Sequence, residues 1–174
     1  MPENNTPSTS GSGNKMLYII GAIIILLLLG WVISRGLGSA AIIAAGGTPN
    51  LDGSATYTDN EGNTATVGGS SMPANWPSDA PANYAGGSIQ YSGNSNPQTG
   101  KAGAAVVYTA NASAQAVVDY YKAQLAKDGW TIEASANTGA GTVLSATKDG
   151  RTFGVYIVST GSGSVSVTAG LELQ

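Results

Sequence analysis

Hydrophobic and polar positions fall into three regimes along this chain. The first region has no period at all: residues 16–33 (MLYIIGAIIILLLLGWVI) are eighteen apolar or uncharged positions in a row. As a helix rising about 1.5 Å per residue the run measures roughly 27 Å, close to the ~30 Å hydrocarbon core of a bilayer. It predicts a transmembrane helix over residues 16–35, a signal anchor, with Tyr18 and Trp31 near its two ends as interfacial aromatics. A cleaved signal peptide is the alternative, since Lys15 precedes the run and Gly38-Ser39-Ala40 resembles a small-residue cleavage site. Secretory apolar cores are shorter, at about 7 to 15 residues, which favours the anchor. Lys15 and Arg35 cancel under the positive-inside rule, so an extracytoplasmic C-terminal domain rests on general signal-anchor logic.

Polar stretches flank the run. Residues 1–15 (MPENNTPSTSGSGNK) carry almost no apolar side chain and predict a disordered tail. Residues 36–49, mildly apolar and too short to span, predict a stalk. Residues 50–69 place β-branched and aromatic residues in two arms around a polar centre, predicting a β-hairpin whose turn holds Asp59, Asn60, Glu61, Gly62 and Asn63. The alternating acids resemble a calcium loop but lack its twelve-residue spacing and closing glutamate, so a plain turn is the reading. Residues 70–86 are a proline-rich entry segment: Pro73, Pro77 and Pro81 recur every fourth position and exclude a helix. Trp76, between two of them, reads as a plug that pins extended chain onto a core, with a ligand platform as the other use.

Residues 87–174 form the third regime. Ile89 and Tyr91 alternate with polar residues in a first strand, residues 104–109 make a second, and a polar loop joins them. Between Ser113 and Asp128 the period becomes helical, with Ala114, Val117, Val118, Tyr121 and Leu125 on one face, Ser113 as N-cap and Gly129 as stop. Four strands follow. Trp130, Ile132 and Ala134 share a face of the first, and residues 142–148 form the next. Asp149-Gly150 turns the chain, Phe153, Val155 and Ile157 line the third, and Val165, Val167, Ala169 and Leu171 line the last. The expected architecture is α+β: a transmembrane helix, then one antiparallel sheet covered by one amphipathic helix in the order β-β-α-β-β-β-β.

Composition removes chemistries. Cysteine and histidine are absent from the 174 residues, which closes off disulfides, thiol nucleophiles, imidazole metal sites, histidine-assisted triads and a lipidated cysteine anchor. Ten per cent of residues are charged and the net charge is −3, so no basic surface is offered to nucleic acid. No catalytic, cofactor-binding or metal-ligating residue is assigned. Lys148 or Arg151 with Asp149 is the nearest thing to a catalytic pair, and these lie in a tight turn where charge serves solvation.

The stretch PANWPSDAP at residues 73–81 and YYKAQLAKDGW at 120–130 resemble a group of small bacterial membrane-anchored, lipoprotein-like envelope proteins of unknown function. In that group a P-x-x-W/F-P-x-D-x-P entry is followed by a strand, a helix ending in Gly-Trp and a β meander. The resemblance implies a cell-envelope setting and transfers no site residue.

The functional expectation is a non-enzymatic binding or interaction module held at the cell membrane by residues 16–33, with the lipid bilayer and an envelope protein or glycan as partners. Trp76, Tyr84 and Tyr91, near Asn83 and Asn94, are the candidate partner-binding residues. The alternative is a pilin-like structural subunit, against which no glutamate occurs between Met16 and Ile33.

Overall fold

A computed structural model describes residues 46–58, 60, 64–96, 102–161 and 163–173. The elements are β1 (Gly47–Pro49), β2 (Ala55–Thr58), β3 (Thr64–Gly69), β4 (Ser88–Asn96), β5 (Gly103–Ala110), α1 (Ala114–Lys127), β6 (Thr131–Asn137), β7 (Thr142–Lys148), β8 (Arg151–Gly161) and β9 (Ser164–Glu172). All nine strands belong to one sheet, in the order β1-β2-β3-β4-β5-β9-β8-β7-β6, and every neighbouring pair is antiparallel.

This corrects the expected architecture. The described chain is mostly β, and its sheet has three more strands than the pattern predicted. Residues 92–96 (SGNSN) look like loop because their side chains are small and polar. In the fold they are strand, since the backbone groups of β4 find partners on both sides: Asn94 opposes Ala104 of β5 and Thr66 of β3. That extension gives the β2–β3 hairpin something to pair with, so the hairpin joins the sheet.

The membrane placement is corrected as well. No helix among the described residues is long and apolar enough to cross a membrane. Helix α1 has 14 residues, about 21 Å, and one polar face. A single-pass transmembrane, cell-membrane protein with an extracytoplasmic domain is therefore not carried forward. Residues 16–33 and the tail before them lie outside the described residues, as do most of the stalk and turn residues Asp59, Glu61, Gly62 and Asn63.

Helix α1 forms where the sequence supplies both ends. Ser113 caps it by accepting from the Ala116 amide at 3.2 Å, and Trp130 N donates back to Leu125 O across Gly129. Val117, Val118, Tyr121 and Leu125 are its buried face, packed over β6, β7 and β8. The core below comprises Ala104, Val106 and Tyr108 of β5, Leu144 and Ala146 of β7, Phe153, Val155 and Ile157 of β8, and Val165, Val167, Ala169 and Leu171 of β9. Nearly complete burial of a side chain of this size is worth about 1.5–3 kcal/mol, so this layer dominates stability.

Two bulges overturn the expected alternation. The β4–β5 register shifts between Ile89 and Tyr91, so Ile89 opposes core residue Tyr108 whereas Tyr91 opposes Val107 on the other face. The β6–β7 register shifts between Ile132 and Ala134, which separates that pair in the same way. One extra residue, Gln90 or Glu133, absorbs the period of two in each strand.

Candidate interaction site

Helix α1 covers only part of the helix-side face. The remainder, from β5 to β8, is covered by residues 70–87, a strap that leaves β3, crosses the core and returns as β4. Its prolines keep it extended or turning, and its backbone bonds close three tight turns, Trp76 N to Pro73 O, Ala80 N to Pro77 O and Gly87 N to Tyr84 O. Ala80 enters the core, while Met72, Trp76 and Tyr84 pack on it half-buried. Close passage requires Gly87: a Cβ there would stand 2.7 Å from the Tyr108 ring and 2.8 Å from Tyr84 O.

An aromatic chain runs beneath the strap. Tyr84 meets Tyr120 edge-on at 5.3 Å, Tyr120 meets Tyr121 at 5.2 Å and Tyr121 lies 5.8 Å from Phe153. Trp76 and Trp130 then approach Phe153 edgewise, at 6.5 and 5.9 Å. Polar ends are satisfied along the way. Trp76 Nε1 donates to Pro81 O at 3.2 Å, Tyr120 OH donates to Ala82 O and Asn83 O, and Tyr84 N donates to Tyr108 OH at 3.1 Å. The Tyr108 and Tyr121 hydroxyls pair at 2.9 Å inside the core. Burial pushes both phenols above their ordinary pKa, Tyr121 most.

At the far end of the strap sits an ion cluster. The Asp79 carboxylate receives Arg151 Nη1 on Oδ1 at 3.0 Å and Nη2 on Oδ2 at 2.6 Å, a bidentate pair, and Lys148 Nζ approaches Oδ2 at 2.7 Å. Trp130 Nε1 donates to the Asp79 carbonyl, and the Arg151 guanidinium lies 5.1 Å from the centre of the Trp130 ring. Lys148 also donates to Asp128 O at 2.7 Å. Hydrogen bonds from Arg151 and then Lys148 hold the Asp79 carboxyl well below the usual carboxylate range, and the bond to Asp79 raises Arg151. Lys148 and Arg151 are therefore engaged across the fold, by an aspartate 72 positions away from Arg151. Their neighbour Asp149 takes the left-handed turn conformation, with φ of 49°.

The three candidate residues separate. Trp76 and Tyr84 share the strap and the aromatic chain below it, whereas Tyr91 is on the opposite face and buried, 9% exposed. There it neighbours Tyr57, and its hydroxyl is out of solvent with no hydrogen-bond partner. Burial first, and Tyr57 second, push it to a pKa of about 12. Asn83 lies on the strap with its amide bonded to Gly87 O, and Asn94 lies on β4. Sequence reasoning missed Asp79 as the strap's anchor and Tyr120 and Trp130 as its partners. The signal for Asp79 was a lone acid inside an otherwise uncharged proline-rich segment. Among the described residues no group of three acidic side chains is placed to hold a metal ion.

No curated protein and no solved structure matches this chain. A family profile described as START domain-like matches residues 89–167, from β4 into β9. That match points to a small ligand-binding or interaction domain.

Proposed function

We propose that this domain binds a protein or glycan partner without transforming it, and that the binding surface is the strap edge carrying Trp76, Tyr84 and Tyr120. The observation behind this reading is that all three rings are half-buried yet locked, each by an edge-to-face neighbour and two of them by a hydrogen bond to or from the strap. Rigid, half-exposed aromatics lose little entropy on binding and dominate interface energetics. Tyr91 is left out, because its ring is covered. Binding without chemistry is supported by the way the nearest charged groups, Lys148 and Arg151, are both engaged by the Asp79 carboxylate.

The test is retention of the full chain on a peptide array and a glycan array, with Tyr84→Ser and Tyr120→Ser variants beside it. Retention on a restricted set of one array, reduced about tenfold or more in both variants at unchanged circular dichroism, is the expected result. Equal retention of variants and parent, or none on either array, removes the reading.

A further inference from the structure

Helix and strap lie on the same face of the sheet but are tied to it differently. Among the described residues, every backbone-to-backbone hydrogen bond made by residues 70–87 outside strand pairing is a local turn bond. What joins the strap to the rest of the fold passes through side chains: the Asp79 carboxylate with Arg151 and Lys148, the Trp130 indole on Asp79 O, the Tyr120 hydroxyl on Ala82 and Asn83, and Tyr84 N on Tyr108 OH. Glycine pairs bound it at both ends, Gly68-Gly69 and Gly86-Gly87, with Gly68 and Gly86 at φ of 91° and 75°. A segment without ladder bonds, pinned at a few points and flanked by glycine, has the properties of a separately opening unit.

We infer that residues 70–86 open and close as one body about these glycine pairs while the sheet stays paired, and that the Asp79 carboxylate is the latch. Closure brings Trp130 and Tyr84 onto their partners at once. Opening releases the Trp130 indole N–H and the Tyr84 amide together and admits water to the Tyr108–Tyr121 hydroxyl pair. The movement does not depend on what the domain binds, although the moving segment carries Trp76 and Tyr84 of the proposed partner surface.

Hydrogen exchange of the full chain, followed by NMR, tests it at two protons that bridge strap and body: the Trp130 indole N–H and the Tyr84 amide. The expected result is one shared exchange rate for both, faster than that of the β5 amides. Asp79→Asn should accelerate both by about tenfold and leave β5 unchanged. Lys148→Met, which removes one of two cations, should act in the same direction more weakly and serves if Asp79→Asn does not fold. Two unlinked rates, rates equal to those of β5, or no acceleration in a folded variant would overturn the inference.

Discussion

Helix α1 and the strap do the same work by opposite means. The helix satisfies its own backbone internally, brings a serine cap and a glycine stop, and contributes a continuous apolar stripe of Val117, Val118, Tyr121 and Leu125. The strap contributes two small buried residues, Ala80 and Pro81, and the half-buried edges of Met72, Trp76 and Tyr84. It is held by groups borrowed from elsewhere, Arg151, Lys148, Trp130, Tyr120 and Tyr108. A cover that carries its own hydrogen bonds tolerates the loss of one contact. A cover held by distant side chains depends on each of them, and the difference is open to measurement.

The largest effect is expected where the two covers meet. Phe153 is fully buried and touches Trp76 of the strap, Tyr121 of the helix and Trp130. Phe153→Ala should cost about 3–5 kcal/mol in a urea titration, lowering helix and strap together. If only one of them loosens, the shared core is not what couples them.

Asp79→Asn comes next and should be confined to the strap. Its carboxylate is about one-third exposed, so the charge-assisted bonds are worth about 1–2 kcal/mol, towards the lower end because of solvent screening. The pH dependence has a definite sign. Folding lowers the Asp79 pKa from its ordinary 3.8, so the contribution is complete above that value and fades as pH falls through the lowered one. The parent chain should therefore lose stability on acidification below about pH 4 more steeply than D79N. Parallel acid titrations of the two would remove Asp79 as the anchor.

Ser113→Ala tests the helix side alone. Loss of the cap on the Ala116 amide should cost about 1 kcal/mol and leave the Trp130 indole resonance unshifted. The smallest effect belongs to the opposite face of the sheet. Tyr91→Phe removes a buried hydroxyl without a partner and should be neutral or stabilising by up to about 1 kcal/mol, read from the urea midpoint. A clear loss of stability would mean that hydroxyl has a partner.

Much of the helix-side layer was legible because its signals are local. The α1 stripe, its cap and stop, and the alternation of β8 and β9 depend on neighbours within a turn or two of chain. Val117, Val118, Tyr121 and Leu125 are buried as the period selected, as are Phe153, Val155, Ile157, Val165, Val167, Ala169 and Leu171. Ala114, by contrast, is only partly buried, and Arg151 and Thr168 are buried without being among the residues the period selected. Where one residue breaks the period, at Gln90 and Glu133, alternation alone assigns Tyr91 and Ala134 to the wrong face. Of the candidate site, Trp76 and Tyr84 stood out as aromatics in a segment that cannot be helical. Their partners did not, because Asp79 and Arg151 are joined only when β8 and the strap are folded against each other.

Sequence alone determined the local periods, the helix ends, the proline-rich character of residues 70–86 and the absence of cysteine and histidine chemistry. Each follows from properties of single residues or near neighbours. Only the tertiary structure decided that the N-terminal hairpin joins the sheet, which face Tyr91 occupies, and which distant cations hold Asp79. Those outcomes turn on backbone pairing and ion contacts between segments far apart in the chain, and such contacts leave no periodic trace in it.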